Sequence, residues 1–406
     1  LVCEPNGGLM IFQILDSKDS CFGLYKGGEF IYDRLPADIT GTWGYNNCLS
    51  DHNIDYACVY VNGKTMDEIC PDIYKTRLEK RKNKIRAFVN AAVNAKIKID
   101  NQCMFEIVPE THLKHYCEVK NQICEWVFGN YEKPSNHDFL VDLFKMAGDI
   151  AKRPIQIDFD ALHVSARTDL KAKSLRNFLN GEQKFIHYDV WGSRTGRLTT
   201  KTGSFPIMNL KKETANCVVP KNDLFVQFDL NGAEIRTLLS LSTGTHPRED
   251  VHEYNIKNVY RGIGTRDKAK KRFFAWLYNP NAEDYLTERH YNKTKVLKEF
   301  YRDGVVHTPF GRKIPTDDFH SLNYLLQSTS SDNCMKQACK INKFLQNTKS
   351  FVHSVVHDSL TIDLHLEDRY MLPQVQEIFE DTTLGWFKSS AHVGSNLRDF
   401  VEVSWS

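Results

Sequence analysis

At 406 residues the chain is too long for one ordinary domain and implies two or three folding units. An apolar share of 41% with 22 glycines excludes a disordered chain, and no window reaches the ~18 uninterrupted apolar residues of a membrane span. The net charge of +2 hides an asymmetry: residues 1–70 hold four Lys/Arg against ten Asp/Glu, a net −6, so the rest of the chain carries +8 and is where a polyanion partner belongs.

Residues 1–8 carry neither the basic nor the apolar run of a secretion leader. The eleven cysteines are odd in number, scattered singly and form no CxxC pair, and Cys334 and Cys339 have a poor zinc spacing. This usage predicts free thiols and a cytoplasmic, reducing setting.

Residues 10–15 read as a strand, and residues 22–25 and 30–32 flank Lys26-Gly27-Gly28-Glu29 as a hairpin. Residues 56–61 read as another strand, closing on the turn Asn62-Gly63. Residues 1–70 are thus an acidic, β-rich module with no chemistry of its own. From Asp72 the texture becomes helical, and between Lys75 and Arg86 seven basic residues face one acid, Glu79. That is either a solvated helix face or a helix laid along a phosphate backbone, with Lys80 and Lys84 as contacts. Further helices are predicted over 115–131, 138–152 and 166–179.

The richest chemistry follows. Residues 225–228 form a strand that delivers Asp229, followed by the turn Asn231-Gly232. Residues 351–356 form a second strand, delivering His357-Asp358-Ser359. Charge breaking a buried β pattern is costly unless a cation or ion partner is present. Two aspartates on adjacent strand ends could share two Mg²⁺ ions ~3.5–4 Å apart, the arrangement for in-line phosphoryl or nucleotidyl transfer. Between them Arg266, Lys270, Phe274 and Tyr278 recur every four residues, one stripe on a helix face. Its cationic half suits a triphosphate and its aromatic half a base and sugar; the bland alternative is an amphipathic helix with its aromatics in the core. Asn279 suits a left-handed cap, and Pro280 a helix stop.

Taken in order, these segments resemble the bacterial DNA polymerase I family, the family A polymerases, with their phage relatives. Asp229 to Arg236 resembles motif A, in which an Asp binds both metals and a Glu, here Glu234, is the steric gate against ribose. The stripe resembles the fingers helix, and His357-Asp358 resembles motif C. Thr195-Gly196-Arg197-Leu198-Thr199 resembles the T-G-R-L-S segment, Asn209 the asparagine of N-L-Q-N, Asp250-Val251-His252 the D-I-H of the fingers base, and Asn323 with Gln327 the N-x-x-x-Q segment. The likeness covers residues 165–406 and suggests a short phage-type member.

The resemblance implies an α+β multidomain, right-hand polymerase with an antiparallel-sheet palm and helical fingers and thumb. Residues 1–70 would be the N-terminal module, 71–185 the thumb region, 186–240 and 306–406 the palm, and 241–305 the fingers. Mg²⁺, with Mn²⁺ able to substitute, would be held by Asp229 and Asp358. Arg266, Lys270, Phe274, Tyr278, Glu234 and His252 would bind the deoxynucleotide, and Lys270 would protonate pyrophosphate. Arg197, Asn209, Asn323, Gln327, His357, Lys80 and Lys84 would contact primer–template DNA, and residues 1–70 would be free to dock a replisome protein. Departures from the pattern are Ser359 where the family has glutamate, Asn279-Pro280 for Tyr-Gly, Phe319 for an arginine and Lys211 for glutamine. The carboxylate set of a proofreading exonuclease is not recognisable. A single-subunit RNA polymerase shares the His-Asp-Ser ending but lacks the Glu. A lapsed fold that only binds nucleic acid would have no reason to keep both aspartates, Lys270 and Arg266.

Overall fold

Apolar runs joined by Gly27 and Gly28, at φ +57° and +95°, fold back on one another as the hairpin pattern requires. β1 (Phe12–Ile14), β2 (Gly23–Lys26) and β3 (Glu29–Tyr32) form one antiparallel ladder. The computed structural model describes residues 9–15, 23–97, 99, 102–279 and 282–405, in two compact units, Leu1–Val141 and Asp142–Ser406. Phe22 and Pro280 lie outside the described residues.

In the first unit, α1 (Asp72–Asn94) buries Leu78, Ile85 and Ala92 along one edge. Leu78 packs against Val119 and Ile123, and Ile85 against Leu113, all from α2 (Glu110–Asn130). Lys80 and Lys84 stand on the exposed side of α1. The strand expected over 56–61 is corrected: only Asp55–Tyr56 is extended, and Ala57–Tyr60 is a helical turn ending at Asn62 and Gly63. A short apolar run has no periodicity to separate strand from buried helix. Among the described residues eight cysteines are free, but Cys103 is disulfide-bonded, which corrects the reading of free thiols throughout. Pairing depends on which side chains the fold brings together, and spacing does not encode that.

The helix expected over 138–152 runs from His137 to Ala151. In the second unit, the helix expected over 166–179 starts only at Leu170 and runs to Leu179, because Asp169 caps it by accepting from Ala172 N at 2.7 Å; a separate helix, Phe159–Ser165, precedes it.

That unit is organised by a five-stranded antiparallel sheet. Its central strand, β4 (Leu224–Leu230), buries Phe225, Val226, Phe228 and Leu230. The chain continues through α3 (Ala233–Ser242), α4 (Val251–Asn258) and α5 (Arg266–Tyr278). A three-stranded meander follows, β5 (Tyr301–Arg302), β6 (Val305–His307) and β7 (Lys313–Pro315), and then the long helix α6 (Asp318–Phe344). β8 (Phe351–Val356), β9 (Ser359–Leu364), α7 (Leu372–Glu380), β10 (Ser389–Gly394) and β11 (Phe400–Val403) complete it, with sheet order β8-β9-β4-β10-β11. α7 lays Val375 and Phe379 under the sheet, the latter 6.1 Å from Phe228.

α6 departs from the usual apolar core helix. Residues 328–333, Ser-Thr-Ser-Ser-Asp-Asn, are all buried. Asp332, fully buried, is held by Arg312 through Nε at 2.7 Å and Nη2 at 2.8 Å. Among the described residues no helix is long and apolar enough to cross a membrane.

Removing one partner of a buried, bidentate pair leaves a charge unpaired in a low dielectric. Asp332→Ala is therefore expected to destabilise the protein by about 3–5 kcal/mol in urea unfolding, whereas replacing Asp332 and Arg312 together with apolar residues costs much less. A single-variant cost below about 1 kcal/mol would show that water screens the pair.

Candidate functional site

Register brings the two aspartates together. Asp229 on β4 pairs with Ser359 on one side and Ser390 on the other. Asp358 occupies the two-residue turn between β8 and β9, and its carbonyl accepts from Leu230 N at 3.2 Å. His357, exposed at the tip of that turn, has φ +56°. Burial first, and then the charge of Asp358, pushes the Asp229 carboxyl up from 3.8 to about 6. The Ser359 hydroxyl donates to the Val356 carbonyl at 2.9 Å and so closes the hairpin.

Asn231-Gly232 turns the chain from β4 into α3, with Gly232 at φ +60° and a Cβ there only 2.6 Å from Val251. Arg236, 1% exposed, reaches back from α3 and donates to the carbonyls of Asn231, Pro247 and Glu249 at 2.6–2.7 Å. Its burial lowers the guanidinium pKa to about 10. Asn231 passes the connection on through Nδ2 to Asp250 at 2.8 Å. Asp250 caps α4 by accepting from His252 N and Glu253 N, and it also receives Arg266 Nη2 at 2.9 Å. Burial works to raise the Asp250 carboxyl, but the hydrogen bonds from Arg266, Asn231 and the helix N-terminus outweigh it, leaving it well below the usual range.

Three of the four stripe residues on α5 point away from the core, and Phe274 packs against it. Ala269, Phe273, Trp276 and Leu277 supply the buried face. Arg266, Lys270 and Tyr278 are exposed, and Phe274 is partly buried and stacks on Tyr278 at 5.8 Å and 6° between planes. Asn279 ends the helix in extended backbone, φ −97°, which corrects the expected left-handed cap. It precedes a proline, whose ring disfavours helical conformations in the residue before it. The Tyr278 hydroxyl donates to Glu234 Oε2, and Arg197 Nη2 donates to Glu234 Oε1 at 3.0 Å. Burial, then this contact with Glu234, raises the tyrosine pKa. One end of the stripe is thus hydrogen-bonded to Glu234 on α3, and the other to Asp250, which in turn holds Asn231 in the turn after Asp229.

His252 is buried behind the stripe, its ring 6.4 Å from Phe274, and burial lowers its pKa to about 4. Asn323 and Gln327 lie one turn apart on α6, and Asn209 is exposed at the end of a 3-10 turn. Lys80 and Lys84 belong to the first unit. Sequence reasoning missed Arg312 and Asp332, twenty residues apart with no periodic signal, and, having weighed Cys334 only for zinc spacing, missed that it lies within reach of the two aspartates' charge. That fully buried thiol on α6 is raised by burial and then by the charges of Asp358 and Asp229.

Among the described residues no group of three or more His, Cys, Asp or Glu is gathered for a metal. A pair of repelling carboxylates nonetheless suits Mg²⁺, a hard cation usually held by one or two carboxylates, with water and substrate phosphates completing its shell. The donor set fits.

No protein-family model and no curated protein matches the chain. Among solved structures it is similar to the "POL domain of Pol1 from M. smegmatis complex with DNA primer-template and dNTP", at 10% identity and a TM-score of 0.63, over 93% of this chain and 93% of that one. The α+β polymerase-domain fold expected from the sequence is the fold observed.

The Asp229 shift has a sign that can be measured in metal-free buffer. A carboxyl raised to about 6 in the folded state favours folding fully below its unfolded value near 3.8, and loses that contribution as pH rises through about 6. Asp229→Asn should accordingly raise Tm relative to wild type at pH 8 in EDTA, with the gap shrinking towards pH 4. A pH-independent gap would show that the Asp229 carboxyl is not raised in the folded state.

Proposed function

We propose that the chain is a template-directed DNA polymerase of the family A type, adding deoxynucleotides from dNTPs to a primer 3′-hydroxyl. The observation that carries the reading is the joining of Asp229 and Asp358 by strand register, with a cationic-aromatic helix bonded at one end to Glu234 on α3 and at the other to Asp250, the partner of Asn231. The shared fold supports it. In this reading residues 186–240 and 306–406 are the palm, 241–305 the fingers and 71–185 the thumb region.

Asp229 and Asp358 hold Mg²⁺, or Mn²⁺ in its place. When bound, the metal supplies activation of the 3′-hydroxyl and charge neutralisation at the triphosphate. Arg266 exchanges Asp250 for phosphate oxygens. Lys270 neutralises developing charge and gives a proton to the departing pyrophosphate. Phe274 and Tyr278 offer ring surface to base and sugar, and His252 backs Phe274 from beneath. Glu234 fills the space a 2′-hydroxyl needs.

Arg197, Asn209, Asn323 and Gln327 contact the primer–template. In the minor groove acceptors are shared by all base pairs, so binding there needs no sequence preference. His357 meets the primer end, and Lys80 and Lys84 follow the phosphate backbone with salt-dependent affinity.

Primer extension with Mg²⁺ and dNTPs tests the reading. Asp229→Asn and Asp358→Asn are each expected to lower nucleotide addition by about a thousandfold or more while primer–template binding persists. Extension at wild-type rate by either variant, or a preference for NTPs by the wild-type protein, would overturn it. Ser359→Ala should stay within about tenfold of wild type, because its hydroxyl serves the hairpin through one hydrogen bond worth ~1 kcal/mol. Inactivity as deep as that of Asp358→Asn would make the serine a ligand or primer contact.

A further inference from the structure

A glutamate that excludes a 2′-hydroxyl by bulk must stay in one place, and its side chain has several rotatable bonds to lose. Glu234 is held from two sides. Arg197 donates to one oxygen and Tyr278 to the other, so the plane of the carboxylate is fixed as well as its position. Arg197 also compensates its charge. An unpaired carboxylate would be drawn out towards water, away from the space it is meant to fill.

Arg197 is itself held. Its carbonyl accepts from Ser193 Oγ at 2.8 Å, and Gly196 N donates to the Ser193 carbonyl at 3.3 Å. Gly196 is buried at φ +75°, and any Cβ there would collide with the Arg312 guanidinium. That guanidinium cannot yield. It is locked on Asp332 by two hydrogen bonds, and the Arg312 backbone is fixed by Thr308, whose hydroxyl accepts from Arg312 N at 3.0 Å and whose own N–H donates to the Arg312 carbonyl at 2.9 Å. A rigid platform rising from α6 therefore meets the backbone one residue before Arg197.

We infer that Arg197 is a positioning residue for sugar selection: it sets the Glu234 carboxylate, and the Arg312–Asp332 platform beneath Gly196 sets Arg197. The inference rests on the polymerase reading of Glu234 and goes beyond it by naming what controls the gate. It also separates Arg197 from a simple primer contact. Loss of a primer contact weakens insertion of ribo- and deoxynucleotides alike, whereas loss of a positioning group changes their ratio.

The test is single-nucleotide insertion by the full chain on a primer–template with Mg²⁺, comparing kcat/KM for dATP and ATP. Glu234→Ala should abolish discrimination. Arg197→Ala should raise the ATP:dATP ratio about tenfold, the scale of one lost charge-assisted hydrogen bond, and Arg197→Lys should restore part of it. In the Glu234→Ala background, Arg197→Ala should change the ratio no further, since it acts through that carboxylate. Gly196→Ala should shift the ratio in the same direction, with Arg312→Lys as the second variant where Gly196→Ala does not fold. An unchanged ratio in Arg197→Ala beside a changed one in Glu234→Ala overturns the inference and leaves the gate standing. An unchanged ratio in Glu234→Ala removes the gate itself, and the inference with it.

Discussion

Two like charges held side by side are the constraint around which the second unit is built. The antiparallel register of β4 with β9 leaves Asp229 and Asp358 no freedom to separate, and burial together with the charge of Asp358 raises the Asp229 carboxyl. A sheet tolerates such a cost only where its remaining positions are strongly committed. The central strand meets that need with four buried apolar side chains and partners on both edges. Register is well specified when a one-residue slip would turn such a set out of the core.

Buried arginines do the supporting work around that pair. Arg236 and Arg312 are both nearly inaccessible, yet they solve different problems. Arg236 spends its donors on backbone carbonyls, gathering the turn after β4 and the loop before α4 into one piece. Arg312 takes a carboxylate from α6 and presents its flat guanidinium face to a glycine. Lysine could do neither, because it lacks the planar fork of donors.

Much of this was legible in the sequence. The strands before Asp229 and His357 read clearly because apolar runs end abruptly in turn residues. The α5 stripe read clearly because a four-residue spacing has one geometric meaning on a helix. What failed was tertiary. Residues 57–60 are apolar but became helical, and residues 328–333 look like a solvated face but are buried, with Asp332 on Arg312. Asn279 was misread because its intrinsic liking for a left-handed cap was weighed without its neighbour, which restricts it more strongly. The Arg197–Glu234 and Arg266–Asp250 pairs join residues 37 and 16 positions apart, distances over which no local pattern speaks.

α5 can also be considered as a mechanical part. A rod pinned near both ends, here to Glu234 on α3 and Asp250 at the start of α4, keeps one easy motion, rotation about the line through its pins. For α5 that line runs along the stripe, and rolling would drag Phe273 and Trp276 out of their seats. The helix is therefore stiff against bending away and against turning, so long as Arg266 and Tyr278 keep their partners. Both pins are polar, and a polar pin has a property that an apolar one lacks. An incoming anion can replace Asp250 on Arg266, so the lever can be released at that end without exposing any of the core that anchors it.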